Sequence, residues 1–375
     1  MNHPNIAVLW VHYGPYHMAR LRALQERCAV TAIQFASGQR LYGWHSASNS
    51  GIVTLRDEVH ERAGSYRAAR KLWRVLQRTR PDVLLIPGYR ETLAIVAALW
   101  GKMHGRTNVL MSDSTACDRP RSSWKERAKG LLTAVLFHNG FVSGRRAAEY
   151  LRSIARPSFV RETGYDVVDN AFFQTRVAEI RATMATGGGR RPFLFVGRLH
   201  PDKNLRVLLE AFGEYRRQGG ASDLEIAGAG PQSPELQEIH GRIGLGDSIR
   251  FLGYREYGDL PECYARARCL ILPSVSEPWG LVVNEAMAAG LPVIVSDRCG
   301  CVDDLVEDGS NGFVFPANDA HELAGRMRRI DALSAAAWDA MARRSQEIVA
   351  RFSPETWADA VVRMAYGGGA CRRVA

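Results

Sequence analysis

Short apolar runs alternate with longer amphipathic stretches along the whole chain. In the first half, the run IAVLWVHY (6–13) leads into the helical stretch MARLRALQER, and VTAIQF, DVLLIP, NVLMSD and GFVSG have the length of buried strands. The second half repeats the alternation with PFLFVG (192–197), LEIAGAG (224–230), IRFLGY (249–254), CLILPS (269–274) and PVIVSD (292–297). Strands that alternate with helices are typical of a parallel α/β architecture.

The length of 375 residues exceeds that of one ordinary domain and provides two cores. Three glycines (187–189) separate the two halves and predict a linker. We therefore expect a first domain at 1–170, a linker at 171–190 and a second domain at 191–350. Both are expected to be Rossmann-like, doubly wound parallel-sheet domains that face a cleft, where the carboxyl ends of the strands collect ligands.

The apolar runs are too short to span a bilayer, because none approaches about 18 residues. The N-terminus MNHPNIAVLWVHYG has no charged segment followed by a long apolar stretch, so it does not resemble a signal peptide. On this pattern we expect a cytoplasmic protein.

Positive charge is concentrated in the first half. Residues 1–170 hold 25 Lys or Arg against 13 Asp or Glu, and the excess lies mainly in RAGSYRAARKLWRVLQRTR (62–80) and RSSWKERAKGLLTAVLF (121–137). Both stretches predict amphipathic helices; in the first, one face is formed by Tyr66, Ala69, Leu72, Trp73 and Leu76 and an adjoining face is basic.

Such basic helices suit an anionic membrane surface, with which the protein would associate peripherally. The alternative is a pair of ordinary helices packed on a sheet with solvated basic faces. Nucleic acid is the other polyanion that this charge could bind, but no zinc-finger spacing, RNP-like aromatic motif or repeat supports it. We therefore expect no nucleic-acid partner.

Two glutamates, Glu277 and Glu285, lie eight positions apart in SEPWGLVVNEAMAAGLPVIVSD, on either side of Gly280. If a helix begins near this glycine, its first N–H groups, at 280–282, lack acceptors within the helix and attract phosphate. Two carboxylates would repel a bare phosphate, but they can accept hydrogen bonds from the hydroxyls of an attached sugar and ribose. The spacing indicates a nucleotide-sugar site; the alternative is that one glutamate caps the helix and the other is solvated.

The motif GRLHPDKNL (197–205) follows the first strand of the second half. Arg198 at the strand end and Lys203 at a predicted helix start can bind one diphosphate and stabilise the charge that grows on a departing nucleoside diphosphate. The alternative is that Asp202 pairs with one of these cations on the surface.

Together, GRLHPDKNL, IAGAGP, FLGY and SEPWGLVVNEAMAAGLPVIVSD resemble, in order and distance, the family 4 retaining glycosyltransferases of GT-B fold. The resemblance covers roughly 190–316. It implies that Glu277 contacts the sugar, that Glu285 contacts the ribose hydroxyls, and that Arg198 and Lys203 bind the diphosphate. The donor-binding set that it implies is Arg198, Lys203, Glu277, Gly280, Leu281, Val282, Glu285 and Gly14, of which Glu277, Arg198 and Lys203 are expected to be catalytic.

The first half resembles the family less closely. Many members have a paired-glycine loop after the first strand and a histidine after a later one, where this chain has Gly14-Pro15-Tyr16-His17 and Ser112-Asp113-Ser114. We expect Gly14 to admit the donor phosphate, and Tyr16, His17 and Asp113 to reach the acceptor. The alternatives are a simple tight turn at Gly14 and helix capping by Asp113 or Ser114. Asn170 is interpreted as a turn residue, and the fold implies that a helix at 351–366 returns to the first domain.

The resemblance implies transfer with retention at the anomeric carbon, from a nucleoside-diphosphate-sugar to a saccharide or lipid-linked saccharide. Surface polysaccharide or glycolipid synthesis is the expected setting. No Asp-x-Asp lies at an inferred strand end, so we expect hexosyl transfer without a metal or resident cofactor, the nucleotide-sugar being a substrate. Two alternatives stay open: a GT-B epimerase or phosphorylase, and a non-catalytic carbohydrate-binding protein of the membrane surface.

Overall fold

In the computed structural model of the protein, the described residues are 4–37, 51–56, 65–118, 121–184 and 191–367. They divide into two compact units, of which the first contains residues 1–116, 120–167 and 354–375 and the second contains 117–119 and 168–353. Both units are parallel α/β structures.

The sheet of the first unit has the strand order β3-β2-β1-β4-β5-β6-β7, and every pairing is parallel. Its strands are β1 (Asn5–Trp10), β2 (Ala29–Ala36), β3 (Ile52–Arg56), β4 (Val83–Pro87), β5 (Thr107–Ser112), β6 (Asn139–Val142) and β7 (Val160–Thr163). The central strands are almost wholly apolar and buried because helices cover both faces of the sheet.

The helices that connect these strands are α1 (Pro15–Gln25), α2 (Ser65–Thr79), α3 (Thr92–Met103), α4 (Ser123–Leu136) and α5 (Arg145–Ile154). A single core cluster joins α2, α3, α4 and α5 to the sheet, through residues such as Leu72, Leu76, Ala97, Leu136 and Leu151. The basic helices predicted at 62–80 and 121–137 are α2 and α4.

The second unit repeats the plan with the strand order β10-β9-β8-β11-β12-β13, again all parallel. Its strands are β8 (Phe193–Val196), β9 (Leu224–Ala227), β10 (Ile249–Gly253), β11 (Cys269–Leu272), β12 (Val293–Ser296) and β13 (Gly312–Phe315). In both sheets the order reverses beside the first strand, and the carboxyl ends of the strands on either side of such a reversal form the usual ligand crevice of a doubly wound fold.

The helices of the second unit are α6 (Asn170–Thr183), α7 (Leu205–Arg217), α8 (Ser233–Ile243), α9 (Leu260–Arg266), α10 (Leu281–Ala288), α11 (Val302–Leu305), α12 (Ala320–Asp331) and α13 (Ala335–Val349). Helix α7 packs against α12, and α10 packs against α6 and α13. The last helix, α14 (Pro354–Gly367), belongs to the first unit, where it packs against α1 and β7.

The structure differs from the sequence prediction at 171–190, which was expected to be a linker. Residues 170–183 form α6 and pack against α9 and α10, because Phe173 and Val177 bury their side chains in the second unit. The three glycines at 187–189 lie outside the described residues.

Asn170 is also not a turn residue. It is the first residue of α6, its side chain is buried, and its amide donates to the carbonyl oxygens of Val349 (3.0 Å) and Phe352 (3.2 Å). Asn170 therefore fastens α6 to the segment that precedes α14.

Candidate active site

The candidate donor site begins with two loops that touch through their backbones, at the carboxyl ends of β8 and β9. The N–H of Gly197 donates to Ala227 O and that of Leu199 donates to Ala229 O, both at 3.0 Å. A Cβ on Gly228 would lie 1.8 Å from Gly197 O. This close approach requires glycine at 228 and fixes the start of the loop that carries Arg198 and Lys203.

Lys203 lies at the end of a single helical turn, Pro201–Lys203, just before α7. The next residue, Asn204, is left-handed (φ 54°, ψ 40°), and its side-chain amide donates to Ala317 O at 2.7 Å. Lys203 Nζ forms an ion pair with the Glu277 carboxylate, and the two side chains are only 15% and 13% exposed. The sequence alternative, in which Asp202 pairs with Lys203, does not describe this structure.

Glu277 is held in a loop that is hydrogen-bonded on both sides. The N–H of Val275 donates to Asp202 O at 2.9 Å, which joins this loop to the Lys203 turn. On the other side, Gly300 N donates to Glu277 O at 2.8 Å, and Ser274 Oγ donates to the Glu277 carboxylate at 3.4 Å. The carboxylate is therefore positioned before any ligand arrives.

Helix α10 begins directly after this loop, as the sequence predicts. Gly280 is its N-cap in a left-handed conformation (φ 107°, ψ 66°), and a Cβ there would lie 2.9 Å from Leu272 Cδ2. Leu281 and Val282 are the first two residues of the helix, where N–H groups have no acceptor one turn earlier. A cation, a carboxylate and a helix N-terminus thus meet within one short stretch of loop.

Trp279 is buried just before α10. Its indole Nε1–H donates to Asn284 Oδ1 at 2.9 Å, and its ring packs on Phe352 with centroids 5.6 Å apart. The polar atom of the buried indole ring is therefore satisfied.

Glu285 lies in a different environment from Glu277. It is fully buried in α10, and its carboxylate accepts a hydrogen bond of 2.6 Å from the hydroxyl of Tyr264 in α9. The burial follows from the position of α10, in which every residue from Val283 to Ala288 is buried. The predicted contact between Glu285 and a ribose stays a prediction, since its side chain has no exposed surface in this structure.

Arg198 is exposed on the loop between Gly197 and Leu199. Of the residues predicted to bind the donor, the structure joins Lys203 directly to Glu277 and places Gly280, Leu281 and Val282 next along the chain from that glutamate. Two side chains that were not predicted, Tyr264 and Ser274, hold the two glutamates. No spacing signal pointed to Tyr264, because it is 21 residues from its partner.

In the first unit, Gly14 is the N-cap of α1, with an ordinary extended conformation (φ −96°, ψ −177°). Its N–H donates to Nδ1 of His17 at 3.1 Å, so a neutral His17 carries its proton on Nε2. Burial, followed by the positive charge of Arg20 and by His12, holds the pKa of His17 well below its usual range. The imidazole is therefore uncharged at neutral pH.

His17 belongs to an aromatic cluster at the carboxyl ends of the strands. Its ring packs on Trp10 with centroids 4.6 Å apart, and Trp10 Nε1 donates to the hydroxyl of Tyr165 at 3.2 Å. Burial raises the pKa of Tyr165 to about 12; Arg20 opposes the rise, and Asp166 and Asp113 add to it. Trp10 thus links His17 to Tyr165, whose hydroxyl also feels the charge of Asp113.

Tyr16 is partly exposed at the start of α1, and Asp113 is exposed on the loop after β5. The buried guanidinium of Arg20 donates to the carbonyl oxygens of Tyr16 (3.3 Å) and Tyr165 (3.0 Å). Arg20 is a further residue that the sequence did not indicate, and it fixes the positions of two backbone segments around the cluster.

Within the described residues, no group of three or more His, Cys, Asp or Glu side chains has the arrangement of a metal site. Among the helices described, none combines the length and the apolarity needed to cross a bilayer.

Comparison with known proteins agrees with this geometry. Residues 177–343 match the model of the family described as glycosyl transferases group 1. An alpha-D-kanosaminyltransferase of Streptomyces kanamyceticus is 31% identical over 217 residues, which are 56% of this chain and 54% of that protein. A putative colanic acid biosynthesis glycosyltransferase, WcaL, of Salmonella typhimurium is 30% identical over 162 residues, or 42% and 40% of the two chains. The matched stretch thus spans about half the length of these curated relatives.

Solved structures share the fold over nearly the whole chain. Anabaena Alr3699/HepE in complex with UDP and glucose superposes with a TM-score of 0.72 at 18% identity and covers 97% of this chain and 100% of its own. A glycosyltransferase from Rickettsia africae ESF-5 gives a TM-score of 0.76 at 12% identity, covering 98% and 99%. At these identities the likeness establishes the GT-B fold of two Rossmann-like domains. The stretch that matches the group 1 glycosyltransferase family, residues 177–343, includes the segments that carry Arg198, Lys203, Glu277 and Glu285.

Proposed function

We propose that this protein is a retaining glycosyltransferase that moves a sugar, such as a hexose, from a nucleoside-diphosphate-sugar to a hydroxyl group of a saccharide acceptor. The observation that carries the proposal is the ion pair between Lys203 and Glu277 beside the start of α10. A cation and a helix N-terminus suit a diphosphate, and a carboxylate beside them suits sugar hydroxyls.

Donor binding replaces the ion pair between Lys203 and Glu277 with contacts to the donor. The Lys203 ammonium moves from Glu277 to the diphosphate, with Arg198 as the second cation, and the freed carboxylate accepts hydrogen bonds from the sugar. The N–H groups of Gly280, Leu281 and Val282 lie at the sugar and phosphate. For Gly14, at the start of α1, a role in donor binding rests on the resemblance alone. Because the Glu277 loop is already hydrogen-bonded at Val275 and Gly300, little reorganisation is required.

The reaction forms a bond between the anomeric carbon and the acceptor oxygen on the face from which the diphosphate leaves. The bond from the anomeric carbon to the phosphate oxygen breaks, and the acceptor proton passes to the departing phosphate. Arg198, Lys203 and the α10 N-terminus offset the charge on that phosphate, so we propose transfer without a metal.

Glu285 stabilises the ribose end of the site. For direct contact, Tyr264 must yield its hydrogen bond to a ribose hydroxyl; otherwise Glu285 acts by holding α9 against α10. On the acceptor side, Tyr16, His17 and Asp113 bind the acceptor hydroxyls around Tyr165. The neutral His17 can donate from Nε2 to an acceptor hydroxyl.

For the setting, we propose a lipid-linked saccharide acceptor in surface polysaccharide or glycolipid synthesis. The protein would then work in the cytoplasm, peripherally on the inner face of the plasma membrane. Two observations support this setting: the basic first unit, and a relative whose name refers to colanic acid biosynthesis.

The experiment combines donor screening with product analysis. A panel of nucleotide-sugars is screened by thermal shift, since a ligand that binds only the folded state raises its stability. The stabilising donor is then incubated with saccharide acceptors and EDTA, and the anomeric configuration of the product is assigned by NMR. We expect one retained product in the presence of EDTA, and an inverted product or a requirement for metal contradicts the corresponding part of the proposal.

Variants separate transfer from the alternatives. Glu277→Gln should bind donor weakly and lose nearly all transfer, whereas Glu238→Gln, at an exposed position on α8, should match the wild type. A changed sugar with no acceptor present would indicate an epimerase, and a requirement for inorganic phosphate would indicate a phosphorylase. Donor stabilisation without turnover on any acceptor would indicate a binding protein.

A further inference from the structure

The outer surface of helices α2, α3 and α4 has no covering element among the described residues, although these helices pack side by side over one core. Helix α2 packs on α3, and α3 packs on α4. Their inner positions, such as Leu72, Ala97 and Leu136, belong to the core cluster of the first unit. The residues that point outward form a separate surface, here named the α2–α4 face.

This face exposes large apolar side chains. In α4, Trp124, Leu131 and Val135 recur at positions i, i+7 and i+11, which lie on one side of a helix, and they are 68%, 69% and 54% exposed. The other exposed apolar residues of the face are Tyr66 of α2 and Leu99 and Met103 of α3. Exposed apolar residues grouped in this way usually mark a surface that binds something.

The structure corrects the predicted apolar face of α2. Tyr66, Ala69, Leu72, Trp73 and Leu76 were expected to form one face, but only Leu72 and Leu76 are buried in the core. Ala69 and Trp73 are partly buried; they pack against the edge of the core and also line an apolar groove of about 280 Å³ between α2 and α3, completed by Arg70, Val96 and Leu99. The apolar surface of α2 that lies outside the core thus continues onto α3.

Positive charge surrounds these apolar positions. Helices α2, α3 and α4 contain nine Lys or Arg and one acidic residue, Glu126. Glu126 is itself paired with Lys129 and Arg121, and it accepts a hydrogen bond from Tyr150. The basic residues of α2 are all exposed, namely Arg67, Arg70, Lys71, Arg74 and Arg78.

Cations and rings lie together on the face. The Arg70 guanidinium lies 5.8 Å from the centre of the Tyr66 ring, and Lys125 Nζ lies 5.6 Å from that of Trp124. Aromatic rings beside arginine and lysine are typical of proteins that bind at the level of lipid headgroups. Aliphatic side chains such as Leu131 and Val135 gain nothing from nucleic-acid phosphates, so charge and apolarity together favour a bilayer over RNA or DNA.

We propose that the α2–α4 face docks on an anionic lipid bilayer, with Trp124, Leu131, Val135, Leu99 and Met103 entering the headgroup boundary. The exposed arginines of α2 bind the acidic headgroups. The groove between α2 and α3 receives an apolar group of the lipid. The purpose of this docking rests on the proposed function, because a lipid-linked acceptor would be presented at the same membrane surface. The binding itself requires neither donor nor acceptor.

The test is flotation of the full chain with two kinds of vesicle, phosphatidylcholine alone and equal parts of phosphatidylcholine and phosphatidylglycerol. A charge variant carries Arg67→Gln, Arg70→Gln and Arg74→Gln. Its matched control carries Arg217→Gln, Arg242→Gln and Arg343→Gln, at exposed positions of the second unit. At about fivefold per arginine, the charge variant with its three substitutions should bind anionic vesicles about a hundredfold more weakly than the wild type or the control.

A second variant tests insertion. Trp124→Ser with Leu131→Ser keeps every charge and changes only exposed side chains, so circular dichroism and the thermal shift with donor should match the wild type. We expect it to lose most vesicle binding. As a further measurement, Trp124→Phe should reduce the fluorescence blue shift that anionic vesicles cause.

The outcomes are distinct. Equal recovery of the wild type on both vesicle types, or none on either, overturns the proposal, and so does a Trp124→Ser, Leu131→Ser variant that binds like the wild type. Tight binding of single-stranded RNA by a protein that does not float would assign the face to nucleic acid. A protein that transfers sugar in solution but does not float disproves docking alone, and one that floats without transferring disproves the proposed function alone.

Discussion

The ion pair between Lys203 and Glu277 gives the sharpest test of the candidate donor site. Lys203→Met removes the ammonium group and keeps a long apolar stem, whereas Glu277→Gln keeps the shape of the carboxylate and removes its charge. The two residues are 74 positions apart in sequence, so a measured coupling between them reports tertiary structure alone. Together with the double variant they form a thermodynamic cycle.

The expected magnitude follows from the burial of the pair. Fully exposed pairs contribute about 0–1 kcal/mol to stability, and breaking a fully buried pair costs about 3–5 kcal/mol. Lys203 and Glu277 are 15% and 13% exposed, so each single variant should lower the free energy of unfolding by about 1–3 kcal/mol. The double variant leaves no unpaired charge, and the coupling should be about 1–2 kcal/mol.

Both stability and donor affinity are measured, the first by urea unfolding and the second by calorimetry. Lys203→Met should weaken donor binding about 10- to 100-fold, the loss of one charge-assisted contact to phosphate. A control cycle on Glu238 and Arg242, an exposed pair on α8, should show a coupling of at most about 0.5 kcal/mol. Additivity within about 0.5 kcal/mol for Lys203 and Glu277 refutes the argument, because the two side chains would then act independently.

Three further predictions concern the supports of the two sites. Gly228→Ala should cost about 1–3 kcal/mol of stability and weaken donor binding, because its Cβ would lie 1.8 Å from a carbonyl oxygen. The control Gly325→Ala, inside α12 with nothing within 4 Å, should stabilise the protein by up to about 1 kcal/mol. Equal effects of the two substitutions on stability would contradict the contact argument. Tyr264→Phe should lower the free energy of unfolding by about 1.5–3 kcal/mol, since it removes the 2.6 Å hydrogen bond to a buried carboxylate, and an unchanged urea midpoint would disprove this support. The pKa of His17 is lowered in the folded protein, so the unfolded state is protonated first and stability falls as the pH drops below about 6.5. His17→Gln should flatten the dependence of stability on pH between about pH 7 and 5. An unaltered dependence would show that another group is responsible.

Much of the fold is predictable from local sequence. The apolar runs coincide with β1, β2, β4, β5 and β6 in the first unit, because a strand buried on both faces needs a continuous apolar stretch. Three strands, β3, β7 and β13, were not predicted, and each lies at a sheet edge. Strands β3 and β7 are only partly buried, so their composition does not distinguish them from loops.

The linker predicted at 171–190 was wrong for a different reason. A glycine run indicates where a chain can be flexible, but it does not show on which unit the preceding residues pack. Residues 170–183 join the second unit because Phe173 and Val177 find apolar partners there, and Asn170 finds two backbone carbonyls 179 and 182 positions away. These partners are visible only once the chain has folded.

The sequence by itself determined the α/β class, the repeated plan of the two halves and the motif that carries Glu277, since these depend on residues close together in the chain. Only the tertiary structure decided that Lys203 meets Glu277, that Tyr264 covers Glu285 and that α2, α3 and α4 share an apolar, basic outer face. The physical reason is that burial and hydrogen-bond partnership are set by packing between distant segments. Two glutamates eight positions apart therefore lie in different surroundings: Glu277 keeps a small exposed fraction and pairs with a lysine, whereas Glu285 is fully buried against a tyrosine.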